Sequence, residues 1–69
     1  GGEFNIYFAS QSDENYSLSI YSTGGELLYE TKNLKSNTNQ VIRTKLARGL
    51  YLAMIFQNST TATKKIIIE

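Results

Sequence analysis

The 69-residue chain contains no cysteine, no histidine, no proline and no tryptophan. Without cysteine there is no disulfide framework, no thiolate metal site and no thiol nucleophile. Without histidine the commonest metal ligand and general base are gone, so the abundant Ser and Thr hydroxyls have no imidazole to activate them. An excess of one charge is also missing: seven Lys and Arg against six Asp and Glu leave a net +1. That balance points neither to a nucleic-acid patch nor to an anionic membrane surface. No apolar run approaches the roughly 20 residues of a transmembrane helix. No basic stretch followed by an apolar one opens the chain as a signal peptide would.

What is present is alternation. In "FNIYFA" (Phe4 to Ala9), Phe4, Ile6 and Phe8 oppose Asn5, Tyr7 and Ala9. In "YSLSIYS" (Tyr16 to Ser22), Tyr16, Leu18 and Ile20 oppose Ser17, Ser19 and Tyr21. Period two with polar turns between the runs is the pattern of half-buried strands. "ELLYETK" (Glu26 to Lys32) follows Gly24-Gly25, a hairpin-turn pair, and sets Leu28 against Leu27 and Tyr29. "NLKSNTN" (Asn33 to Asn39) reads as a loop and "QVIRTKL" (Gln40 to Leu46) as a weaker, exposed strand. "ARG" (Ala47 to Gly49) is a second glycine turn. "LYLAMIFQ" (Leu50 to Gln57) reads as a central strand buried on both faces.

The spacing predicts an all-β antiparallel sandwich of about six to seven strands. Leu18, Ile20, Leu28, Tyr51, Ala53 and Ile55 are expected in its core. Gly1 to Glu3 read as linker or expression residues, and 4–69 as one domain. Ordering so short a chain costs about 1.5 kcal/mol per residue, which leaves little stability to spare for buried polar groups.

The last stretch, "KKIIIE" (Lys64, Lys65, Ile66, Ile67, Ile68, Glu69), places the most β-prone residues at the end of the chain. Termini are usually polar and frayed. The stretch is therefore a buried strand, an element read by a partner, or both. Alternation requires either Ile66 with Ile68, or Ile67 alone, to face the core.

Other candidate chemistry is thin. Asp13 and Glu14 read as a solvated turn rather than an acid/base pair, and "SQSDEN" lacks the regular oxygen spacing of a calcium loop. No cofactor or metal site is expected, nor any hydrolytic or transfer activity. Gly25 and Gly49 read as turn positions. Tyr7, Tyr16, Tyr21, Tyr29 and Tyr51 fit strand packing better than a sugar-binding platform.

From Tyr16 onward the chain resembles the type A C-terminal sorting domains of the type IX secretion system. The resemblance rests on "SIYSTGGELLYE" (Ser19 to Glu30), on "LARGLYLAMI" (Leu46 to Ile55) with Leu46, Gly49 and Tyr51, and on "TKKIIIE" (Thr63 to Glu69), in that order. It implies an Ig-like sandwich carried behind a cargo protein. The cargo would cross the inner membrane, pass through the outer-membrane translocon and reach the cell surface or medium. A sortase would then typically remove the domain. It also implies that Lys64, Lys65, Ile66, Ile67, Ile68 and Glu69 are read by the translocon, while Gly25, Gly49 and Tyr51 belong to the family's turn and strand motifs. Most members open with a Tyr-Pro-Asn-Pro strand that is absent here, so the sandwich is expected to lack its first strand. A missing edge invites strand exchange or a swapped dimer. The alternative function is an Ig-like or carbohydrate-binding accessory module of a secreted enzyme.

Overall fold

The structure is a computed structural model that describes residues 2–69. Gly1, the first of the expected linker residues, lies outside the described residues. Among them there are six strands and no helix: β1 (Glu3–Tyr7), β2 (Tyr16–Tyr21), β3 (Leu27–Leu34), β4 (Asn39–Arg43), β5 (Gly49–Gln57) and β6 (Thr60–Ile68). All neighbours pair antiparallel. A four-stranded sheet runs in the order β3-β2-β5-β6, and a two-stranded sheet pairs β1 with β4. This all-β arrangement is compatible with a small Ig-like sandwich.

The core lies between the sheets. Tyr16, Leu18, Ile20, Leu34, Ala53 and Ile55 face inward from the large sheet, and Ile6 and Ile42 from the small one. Phe4, Phe8, Tyr29, Leu46, Tyr51, Ala62 and Ile66 close its margins. The alternation in β1 and β2 therefore has the expected phase.

Two expectations need correction. β5 is central but not buried on both faces: Ala53, Ile55 and Gln57 point inward, while Leu50 and Phe56 are exposed on the outer side. A continuous apolar run sat in a strand that only one layer covers. Leu28 is likewise not a core residue and is 37% exposed. The pairing with β2 sets its side: Tyr29 stands opposite inward-facing Ile20, so its neighbour Leu28 falls on the outer side, where it is the extra residue of a bulge because Tyr21 pairs with Leu27. Tyr29 rather than Leu28 therefore turns toward the core, and the bulge rephases the strand only on its turn side, from Leu27.

A second bulge lengthens β3 into the expected loop. Tyr16 pairs with Leu34 and Leu18 with Thr31, three residues answering two. Asn33 within that stretch has φ 63°, a left-handed conformation that Asn tolerates better than most residues. The kink turns Leu34 inward, where it is buried.

Candidate functional site

β6 follows β5 through the turn Asn58-Ser59, with Asn58 at φ 55°. A two-residue turn with positive φ at its first position matches the twist of a hairpin. The register then runs without interruption from Gln57 opposite Thr60 to Gly49 opposite Ile68. This places each residue of the terminal stretch. Ile68 is 2% exposed and Ile66 is half-buried against the core, whereas Ile67 is 70% exposed on the outer face. Of the two alternatives, the Ile66–Ile68 face is the inward one. Lys64 pairs with Ala53, so it stands on the core-facing side of the strand, yet its side chain is exposed at the margin. Lys65, on the outer side opposite Leu52, and Glu69 are also exposed. Among the described residues β6 pairs only with β5, so its other edge is open.

Beside β6, the outer face of the large sheet is apolar. Leu50 lies opposite Ile67, and Leu52 lies between Lys65 and Tyr21. Met54 neighbours Ser19, which is buried at 2% although it belongs to the outer, polar set of β2. Ser19 Oγ satisfies itself by donating to Glu30 Oε2 at 3.3 Å.

Gly49, Tyr51 and Leu46 form the corner that launches β5. Tyr51 Oη donates to the carbonyl of Ala47, and Leu46 packs against the core margin. The arrangement resembles the tyrosine corner of Ig-type sandwiches, in which a phenol ties a strand back to the preceding backbone. Gly49 has φ 155°. Gly25 closes the β2–β3 hairpin with φ 94°: its N–H donates to Ser22 O at 2.9 Å, and Ser22 N–H donates to Glu26 O at 2.8 Å. This is a three-residue loop ending in a left-handed residue. A Cβ at Gly25 would meet nothing within 4 Å, so its φ alone explains the glycine.

Asp13 and Glu14 are exposed, and their loop is organised through its backbone. Buried Gln57 donates from Nε2 to Glu14 O at 2.7 Å and accepts from Ser10 Oγ at 2.7 Å. Buried Ser36 Oγ lies 2.9 Å from Ser12 O and 3.1 Å from Glu14 O. Asn37 joins the knot by accepting from Ser10 N–H and donating to Phe8 O. The sequence reading missed these residues. Gln57 carried one signal, being in phase with Ala53 and Ile55.

The five tyrosines do not share a face. Tyr16 is buried, Tyr29 and Tyr51 pack on the core margin, Tyr21 lies on the outer side of the large sheet, and Tyr7 is exposed on the small sheet. Tyr16 Oη is buried without a hydrogen-bond partner among the described residues, and burial raises its pKa above the usual tyrosine value of 10.0. An open groove of about 530 Å³ separates β3 from the segment after β4, lined by Leu28, Tyr29, Arg43, Thr44, Lys45 and Leu46. Arg43 is engaged across β1–β4 with Glu3 at 3.0 Å. Lined by hydrocarbon and cations, the groove brings no carboxylates together for acid/base work.

Residues 1–69 match the family described as the secretion system C-terminal sorting domain. No curated protein matches the chain.

Proposed function

Because this chain belongs to the type IX secretion C-terminal sorting domains, we propose that β6 and its terminal residues are the element through which the outer-membrane translocon recognises an attached cargo. The role is non-catalytic. The domain accompanies the cargo through the periplasm, is engaged at the outer membrane and is then cut off by a sortase, leaving the cargo at the surface or in the medium. Lys64, Lys65, Ile67 and Glu69 are the exposed residues a partner can read, Lys64 at the core-facing margin and Lys65 and Ile67 on the outer face, while Ile66 and Ile68 hold the strand in place.

The observation that carries this assignment is the split within one tripeptide: Ile68 is buried at 2% while Ile67 is 70% exposed. Folding uses the first and makes no use of the second. An exposed isoleucine beside Leu50 leaves apolar surface available to a partner.

The test is surface delivery of a reporter joined to residues 1–69 in a type IX-competent cell. Ile68→Ser removes a core contact and is expected to lose fold and delivery together. Ile67→Ser is expected to keep the melting temperature and lose delivery. Normal delivery by the Ile67 variant refutes the assignment of the terminal strand, and normal delivery after removing Lys65 to Glu69 refutes the sorting role of this end altogether.

A further inference from the structure

β6 carries a second consequence in its backbone. The two-residue turn makes Gln57 and Thr60 the pair whose N–H and C=O groups face each other. Orientation then alternates along the strand. Thr60, Ala62, Lys64, Ile66 and Ile68 bond toward β5, and Thr61, Thr63, Lys65 and Ile67 turn their N–H and C=O groups to the open edge. The bonding across the rest of the sheet has the same phase, because Ser22 N–H donates toward β3 and so Ser17, Ser19 and Tyr21 face β5. The open edge of β6 is thus a straight template without bulge or proline over nine residues.

We propose that this edge is completed by an extended segment of the partner, which adds a strand beside β6. This mode of recognition rests on the sorting reading above. The added segment carries carboxylate side chains next to Lys64 and Lys65, and apolar side chains next to Ile66 and Ile68, where it prolongs the core.

Charge chooses this occupant over a second copy of the chain. A two-fold antiparallel pairing over the whole of Thr60–Ile68 centres on Lys64 and sets Lys64 opposite Lys64. That is a non-hydrogen-bonded position, where side chains approach most closely. Recentring on Lys65 sets Lys65 opposite itself. Like charges directly across a strand pair are destabilising, so the lysines that discourage self-association leave the edge open to an acidic strand. Main-chain bonds supply the attachment and the alternating side chains its selectivity.

The experiment uses residues 1–69 fused to a reporter, with surface delivery and melting temperature measured together. Thr63→Pro deletes an outward N–H that β5 does not use, a position at which an edge strand tolerates proline. It is expected to lower delivery at least tenfold while the melting point moves by no more than a few degrees. Thr23→Pro, at the second position of the β2–β3 turn where proline is favoured, serves as a proline control with normal delivery. Lys65→Glu is expected to lower delivery at least tenfold by repelling the acidic strand. Normal delivery by folded Thr63→Pro overturns the proposal. If Thr63→Pro does not fold, normal delivery by Lys65→Glu overturns it. A stable dimer of the unfused chain that Thr63→Pro dissolves also overturns it, in favour of a second copy. Deleting the whole domain separates the two levels. Delivery that survives deletion ends the sorting reading, whereas delivery lost on deletion but kept by folded Thr63→Pro ends only the strand-addition mode.

Discussion

β3 and β6 close the same four-stranded sheet on opposite sides, yet their edges are built differently. β3 is interrupted twice, at Leu28 and at the left-handed Asn33, so its outer line of backbone groups is bent. β6 has no interruption in its register and relies on Lys64 and Lys65. Bulges and charges are two general means of discouraging edge-to-edge association. They differ in what they leave possible. A bulge spoils the template for every strand, whereas a lysine repels a second lysine and welcomes a carboxylate. The two edges show how one sheet can be closed to association on one side and selective on the other.

The largest way to break this comparison is to remove what both edges hang from. Ile55 on β5 is fully buried at the centre of the core. Ile55→Ala is expected to cost about 2–5 kcal/mol, close to the whole stability of so small a domain. Denaturant titration should show a chain largely unfolded in buffer, with both edges lost together.

A smaller effect tests the β3 side alone. Asn33→Val forces a β-branched residue into φ 63° and is expected to cost about 1–2 kcal/mol. Asn33→Gly should cost nothing comparable. Equal midpoints for the two variants in urea would show that the left-handed kink is not required.

Leu28 sharpens the comparison further. As a skipped, partly exposed residue it should lose less than about 1 kcal/mol on truncation to Ala, whereas buried Leu34 on the same strand should lose at least about 2 kcal/mol. Matching losses would put Leu28 back in the core.

The smallest effect belongs to Tyr16, which pairs with Leu34 at the end of β3. Its buried hydroxyl has no partner among the described residues, so Tyr16→Phe is expected to be neutral or stabilising by about 1 kcal/mol or less. Desolvation raises the folded phenol above 10.0, so the unfolded chain loses this proton first as pH rises. The contribution is intact below pH 10.0 and falls above it. Melting curves should therefore converge less steeply with pH for the Phe variant than for the native chain.

Period two in "FNIYFA" and "YSLSIYS" and the glycine turns were enough to predict about six to seven antiparallel strands and to place Leu18, Ile20, Ala53 and Ile55 in the core, while the three isoleucines left two faces open. These signals are local, because a strand's two faces follow from its own side chains and a hairpin loop from its own φ values. The candidate site was legible as a stretch, Lys64 to Glu69, but not as a surface.

Tertiary structure decided the rest. Whether "LYLAMIFQ" is covered on one face or two depends on how many layers the chain builds. Leu28 left the core because its neighbour Tyr29 stands opposite inward-facing Ile20, a register set by pairing with β2. Gln57 and Ser36 became buried because loops distant in sequence meet over them. That Ile68 rather than Ile67 faces inward follows from the register with Gly49 and Leu50, and that β6 is an open edge follows from strand order. Apart from the phase of Gln57 with Ala53 and Ile55, none of these has a local signal, because each depends on contacts between residues far apart in the chain, and only the folded sheet fixes which residues those are.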